Sequence, residues 1–481
     1  MGSTQPQKAK PAPSTLSRAV SRVASWFDFG RNMHLIVASA FAANMVGTAN
    51  FQYLPLYIRQ LGGTIDDLAF FFTVQTAVLA VLVLVGGWLV DRFNRRLLFC
   101  LTPALAGLAS LLHAVAPSWP WLIPGLCINM LSMSIGGPIF FSMTSDIAPK
   151  DRRAAFFGYQ AMAFSICGIV GPLLGGFFFE HIGYRWFLVA GAALAFTASY
   201  LRYLIKDPRE DPDWVPEGGR QTAAEGRGES TVAAARGVSA PREAVTAGGA
   251  RAAGSRRPRG LVDDFWANLG VFTAWARRTP GIILFIILIN IPSISGKLTE
   301  SYFSVYMNEV ALIPPAALGV LFALSGAMAI PANLFGGRLA DRIGRRLAVS
   351  VAWVLSGLWV FTLTLVGGYR AFMVMFVFDG LVHGGLFPSI DAWSADLCPS
   401  RHRGTFVGML RLVGVIMAVP APAFGAWLWG AAGPAALLWT VAGISAVTGL
   451  LLYRFGPTGA PVADGTTSAP ALMAEAEKTA G

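Results

Sequence analysis

Charge is what this sequence has least of. Only 13% of its 481 residues are Asp, Glu, Lys or Arg, against about a quarter in a soluble globular chain. It cannot cover its surface with groups that water accepts, and a soluble domain is excluded. Cysteine is scarce too. Cys100, Cys127, Cys167 and Cys398 are scattered, with no CxxC and no Cys/His cluster, which argues against a zinc ribbon or a disulfide framework. The five histidines show no HExxH spacing, and the GKLT around Lys297 lacks the upstream glycine of a phosphate-binding loop. Without a catalytic or metal-ligating constellation, neither an enzyme nor a metal or cofactor is expected. The first 30 residues are polar and basic with no apolar core, so no cleavable signal is expected and the N-terminus should stay in the cytoplasm.

Apolar residues are abundant: 54% of the chain, with a mean hydropathy of +0.56. Stretches of about 20 apolar residues, the length that crosses a bilayer, recur at 33–58, 66–90, 97–116, 121–147, 154–179, 184–205, 281–307, 315–340, 347–368, 371–397, 404–429 and 433–455. Lipid offers no partner to an open backbone N–H or C=O, so each must be a helix. The expected fold is an all-α membrane protein of twelve transmembrane helices.

Loop charge sets its orientation. The short loops on the N-terminal side hold Arg92, Arg95, Arg96, Lys150, Arg152, Arg153, Arg342, Arg345, Arg346, Arg401 and Arg403, while the opposite loops hold Arg59, Arg185 and Arg370. That bias places both termini in the cytoplasm of a cell with the chain in its inner (plasma) membrane. It also accounts for much of the net charge of +11, so no nucleic-acid partner is needed.

The organisation read from composition is a cytoplasmic N-terminus over 1–32, a six-helix bundle over 33–206, a cytoplasmic linker over 207–280, a second bundle over 281–456 and a disordered tail over 457–481. The linker is largely Ala, Gly, Arg, Glu and Pro, too poor in large apolar residues to order itself. Two amphipathic stretches read as helices lying on the membrane face or packed on the bundle. One carries Leu16, Val20, Val23 and Phe27; the other, at about 261–278, carries Leu261, Phe265, Leu269 and Phe272.

The two bundles repeat each other. GGWLVDRFNRRL from Gly86 to Leu97 returns as GGRLADRIGRRL from Gly336 to Leu347. YLPLY (Tyr53 to Tyr57) is matched by YFSVY (Tyr302 to Tyr306), and Pro138, Asp146, Pro149 and Arg153 by Pro388, Asp396, Pro399 and Arg403. Parallel six-helix repeats are a known transporter plan, with substrate at mid-depth between the halves.

The doubled GxLxDRxGRR knot resembles the loop after spans 2 and 8 of the major facilitator superfamily, and GPLLGG (Gly171 to Gly176) resembles a span-5 motif of its exporters. The resemblance covers all twelve segments. It implies that spans 1, 4, 7 and 10 line a cavity, and that the chain works as a monomer in the bilayer. It also implies a cytoplasmic gate of Gly87, Asp91, Arg92, Arg95 and Asp146 with Gly337, Asp341, Arg342, Arg345 and Asp396. Asp91 then faces the N-terminus of span 11, and Asp341 that of span 5, where free N–H groups favour a carboxylate. Asn94 replaces the family's glycine, which Gly344 keeps; Asn tolerates the left-handed turn.

Cavity candidates are Asn44, Asn50, Gln52 and Asn129 in the first half, and Lys297, Glu300, Asp379 and His383 in the second. A charge inside a span is a functional candidate by default; a lone Asn or Gln equally serves a helix–helix hydrogen bond. Lys297 with Glu300 (i, i+3) and Asp379 with His383 (i, i+4) each share a helix face, so the four could share a proton. The competing arrangement is a silent Lys297–Asp379 bridge. Asp391 and Arg411 fall at one depth and read as a structural ion pair. Two departures stand against a simple transfer of the drug–proton exporter mechanism: Leu126 occupies the place of that group's span-4 arginine, and Cys167 that of a glycine. The expected function is a secondary active transporter that moves a small organic solute by alternating access, as proton-coupled efflux. The alternatives are an uptake permease for a nutrient or organic anion, and a substrate sensor of the same fold.

Overall fold

Twelve apolar segments become thirteen helices in the computed structural model, which describes residues 31–147, 153–205, 282–387 and 403–457, with 266, 269–270, 272–273, 389–390 and 393–394. The first half contains α1 (Arg31–Gln60), α2 (Ile65–Arg92), α3 (Arg95–Val115), α4 (Leu122–Ile147), α5 (Arg153–Phe177) and α6 (Tyr184–Tyr203). The second contains α7 (Ile282–Val305), α8 (Pro315–Ile343), α9 (Arg345–Leu363), α10 (Tyr369–Leu386), α11 (Arg403–Ala418), α12 (Ala421–Ala432) and α13 (Pro434–Phe455). No strand occurs among the described residues. Nine stretches in them are long and apolar enough to cross a membrane. The extra helix comes from a break in the eleventh segment. Pro420 has no N–H to give the Ile416 carbonyl, and the Val419 N–H takes it instead at 3.2 Å.

The N-terminal amphipathic stretch, the tail after 457, most of the linker, Asp391 and Asp396 lie outside the described residues. Of the stretch at about 261–278, five described positions are helical. Phe272 is buried in a cluster with Ile282, Phe285, Leu410 and Leu452, whereas Trp266 is exposed.

The repeat in the sequence is a repeat of contacts. In the first half α2 packs on α4, α3 on α6, and α1 on α5 and α6. In the second, α8 packs on α10, α9 on α13, and α7 on α11, α12 and α13. The Tyr53 hydroxyl donates to the Pro172 carbonyl at 3.1 Å; Tyr302 donates likewise to Pro422 at 2.5 Å. Arg96 caps the last turn of α6 at the Tyr203 carbonyl (3.2 Å), and Arg346 does the same for Tyr453 of α13. Each guanidinium also lies over that tyrosine's ring. The last arginine of each knot is thus a fastener within its own half.

The glycine pairs divide their work. A Cβ on Gly86 would strike the Ser134 carbonyl of α4, and one on Gly336 the Gly385 carbonyl of α10, while Gly87 and Gly337 face open space. In GPLLGG, Gly171 and Gly175 let α5 lie against Thr48, Ala49 and Tyr53 of α1, and Gly176 lets it lie against Pro315 of α8. The halves join where α5 meets α8, α2 meets α11 and α12, and α1 meets α7.

Because the obstruction at Gly336 is backbone, Gly336→Ala should destabilise the chain by about 1–3 kcal/mol. Gly337→Ala should be neutral or slightly stabilising, since alanine is the better helix former. Denaturant titration of both in detergent distinguishes them; equal losses would mean that α8 does not pack on α10 through Gly336.

Candidate functional site

The end of the bundle opposite the two knots is latched. Arg59, at the end of α1, makes a two-pronged pair with Glu309 beyond α7, at 2.7 and 3.2 Å. Glu309 sits in a π-helical turn, Tyr306–Val310, that extends α7. A second π turn, Phe178–Ile182, extends α5. From it Glu180 accepts the Ala316 N–H at 2.9 Å, where the free N–H groups of the α8 start favour a carboxylate. The Tyr53 hydroxyl adds a bond to the Pro315 carbonyl at 3.1 Å.

At the knot end, the two copies turn differently. Gly344 takes the left-handed conformation at φ +89. Asn94 does not: its φ is −58. Its Oδ1 accepts the N–H groups of Arg96 and Leu97 at 2.9 and 3.2 Å, capping α3. The residue that lacks glycine's freedom closes the loop as a helix cap instead. Arg92 lies over the Trp88 ring at 4.9 Å and Arg95 bonds Ser142 of α4. Arg345 is half-buried, while Asp341 and Arg342 are exposed. Asp341 makes no hydrogen bond or ion pair among the described residues, so it is not seated on α5 here. The side chains of Asp91 and Asp146, with Asp396, lie outside the described residues.

At mid-depth, the charges of the second half are answered in two pairs. Lys297 on α7, 9% exposed, meets Glu300 at 2.9 Å. It also donates to Gln75 of α2 in the other half at 2.5 Å and stands over the Phe72 ring at 5.2 Å. On α10, Asp379 pairs with His383 at 2.8 Å and accepts from Ser325 of α8 at 2.7 Å. The His383 ring stacks on Phe387. The Lys297–Asp379 bridge does not form, because each partner is taken on its own helix. Gln75 and Ser325 went unremarked as candidates. They are equivalent positions, 250 apart, and a glutamine inside a 26-residue span of hydropathy 2.5 was the available signal. Asp391 is outside the described residues, and Arg411 is exposed with a partner among its surroundings.

The first half holds a crevice of about 370 Å³ between α1, α3, α4 and α6. It brings together Asn44, Asn50 and Asn129. Asn50 accepts the Tyr184 hydroxyl at 2.7 Å, and the Asn44 amide donates to the Ala40 carbonyl at 2.8 Å. Gln52 is not on its wall, and its Oε1 is enclosed without a donor among the described residues. Leu126 is core, and the Cys167 thiol donates to the Phe41 carbonyl at 3.4 Å. The wall also includes Arg202 of α6, absent from the candidates read in the sequence.

Two helical halves related by a contact repeat, latched at one end and holding paired charges at mid-depth, form the plan of a membrane transporter. The Major Facilitator Superfamily matches this chain at residues 35–310 and 281–478. The chain belongs to that superfamily and resembles its bacterial efflux permeases. It is 30% identical over 159 residues to the quinolone resistance protein NorA of Staphylococcus aureus (strain Mu50 / ATCC 700699), covering 33% of this chain and 40% of that one. Over 156 residues it is 26% identical to a multidrug resistance protein B homolog of Mycobacterium tuberculosis (strain CDC 1551 / Oshkosh), covering 32% and 29%. The matched part therefore spans less than half of either relative. Among solved structures, a peptide transporter POT in complex with sulfate superposes with a TM-score of 0.64 at 17% identity, over 90% of this chain and 95% of that one. A POT family transporter in complex with 5-aminolevulinic acid gives 0.66 at 13%, over 90% and 97%. These likenesses are of fold.

Two outcomes test the site. Glu300→Gln leaves the Lys297 ammonium buried without a counter-charge, which costs about 3–5 kcal/mol. Lys297→Met with Glu300→Gln removes both charges and should recover most of that loss in thermal unfolding; a double variant no better than the single would mean that the pair does not hold Lys297. At the latch, Arg59→Glu or Glu309→Arg should widen the spin-label distance between the ends of α1 and α7, and the double swap should restore it. The exposed setting limits the pair to about 0.2–1 kcal/mol. Unchanged distance distributions in both single variants would exclude the pair as a latch.

Proposed function

We propose that this chain is a secondary active transporter that carries a small organic solute out of the cell by alternating access, coupled to protons. In this reading the thirteen helices make twelve crossings of the plasma membrane, the knot end and both termini face the cytoplasm, and one chain is the working unit. The observation that carries the proposal is the latch. Arg59 with Glu309, Glu180 with the start of α8, and Tyr53 with Pro315 hold the halves together at one end, and exposed Asp341 and Arg342 lie at the other. Such a molecule presents its cavity to one side at a time. Efflux, rather than uptake, is favoured by the relatives whose names record resistance to quinolones and to multiple drugs.

Coupling follows from the way Lys297 divides itself. Glu300 holds it to its own helix, while Gln75 and the Phe72 face hold it across the interface. Neutralising Glu300 would cancel the first attachment and leave the second, so the charge on this carboxylate sets how Lys297 is shared between its own helix and the other half. The Asp379–His383 pair, backed by Ser325, is a second acceptor close to the same level. Carboxylates that trade a proton as their access changes meet the physical requirement for coupling.

Everted membrane vesicles containing the chain, given an acid-inside pH gradient, should accumulate a quinolone, and collapsing the gradient should release it. Glu300→Gln and Asp379→Asn, tested separately, should lose gradient-driven accumulation while keeping counterflow. If both retain full accumulation with unchanged pH dependence, these carboxylates are not the coupling site. Accumulation only in right-side-out vesicles would establish uptake, and binding without any flux or counterflow would establish a sensor.

A further inference from the structure

Arg202 is a buried cation without a buried anion. It is 6% exposed, and among the described residues no carboxylate pairs with it. One guanidinium nitrogen, Nη1, donates to the Phe99 carbonyl at 3.0 Å and to the Thr102 hydroxyl at 2.9 Å. The charge lies over the faces of Phe99 and Phe140 at 4.5 and 5.3 Å. Nε is enclosed and finds no acceptor among the described residues. The anchor is available because Pro103, four residues after Phe99, has no N–H to claim that carbonyl. The side chain is therefore held firmly on one edge, on the wall of the first half's crevice, with hydrogen-bonding capacity left over.

The chain supplies its own control for whether the fold needs this residue. The equivalents of Phe99, Thr102, Pro103 and Arg202, 250 residues on, are Val349, Ala352, Trp353 and Leu452. Val349, Ala352 and Leu452 are each fully buried in apolar core. The same corner of the same architecture closes dry with a leucine, so packing does not require a cation there. A guanidinium buried without an anion is costly to keep, and Arg's planar fork matches a carboxylate or phosphate.

Resting on the reading of this chain as a solute transporter, we infer that the crevice of the first half is a binding site for an organic anion, whose carboxylate or equivalent acidic group docks on Arg202. The body of the solute lies against Phe140 and Phe164, and Asn44, Asn50 and Asn129 contact its polar edges. Asn44 and Met133, both exposed on the crevice wall, mark its mouth between α1 and α4, two of the helices that the family resemblance sets around the central cavity. A dissolved solute, rather than a lipid headgroup, is the occupant that enters from there. Arg202 positions the anion; it takes no part in the pairs that carry Lys297 and Asp379.

The test is calorimetric titration of the full chain, in detergent free of anionic lipid, with 2-naphthoate and its uncharged counterpart 2-naphthamide. Wild type should bind the acid at least about tenfold more tightly than the amide. Arg202→Leu should weaken the acid by about 10- to 100-fold, the worth of a charged hydrogen-bond pair, leave the amide unchanged and unfold no earlier than wild type. Arg202→Lys, which keeps the charge and loses the fork, should fall between. Equal binding of acid and amide by wild type, or undiminished acid binding by both variants, overturns the inference. Displacement of naphthoate by phosphatidylglycerol assigns the site to a lipid headgroup and overturns the solute reading. Because binding in detergent needs neither gradient nor direction, failure of transport in vesicles leaves this result standing, and failure of anion binding leaves transport standing.

Discussion

An apolar interior cannot answer a charge, and a polar group placed inside this bundle is costly unless the protein answers it. That constraint organises the molecule more than any contact between apolar side chains, which lipid would satisfy equally well. Helices follow from it, because only they use up their own backbone. So do the pairing of Lys297 with Glu300 and of Asp379 with His383, and the tyrosine hydroxyls that seek out the Pro172 and Pro422 carbonyls. Where Pro103 frees the Phe99 carbonyl, Arg202 of α6 takes it. There the helix-breaking residue becomes the point of attachment for another helix.

Duplication gives the two halves one scaffold, and chemistry is placed where they disagree. The fasteners recur: Arg96 with Arg346, Gly86 with Gly336, Tyr53 with Tyr302. The charged and uncharged sites do not. Thr48 stands for Lys297, Phe51 for Glu300, Asn129 for Asp379, and Leu452 for Arg202. A position that keeps its residue in both halves serves the architecture, and one that differs is free to serve a solute or an ion. This comparison needs no relatives, only the chain laid against itself.

The sequence made much of this legible, and the boundary of what it hid is physical. Run length located the helices because a bilayer fixes that length. Helical spacing put Lys297 beside Glu300 and Asp379 beside His383, since partners one turn apart on a helix are set by local geometry alone. Spacing could not rank those partners against others at the same depth, so the Lys297–Asp379 bridge and the Gln75 contact were decided only by how the halves pack. Asn94 was misjudged because a loop can be closed by a cap as well as by a left-handed residue. Arg202 escaped notice for another reason: it lies in the last turn of α6, where an arginine reads as loop charge, and its inward course depends on Pro103 of a different helix.

The Arg59–Glu309 pair takes its cation from one half and its anion from the other. Neither half carries both partners, so neither could make this contact with a second copy of itself. The latch is therefore a property of the fused chain, made by two side chains at the surface without altering one helix of the scaffold.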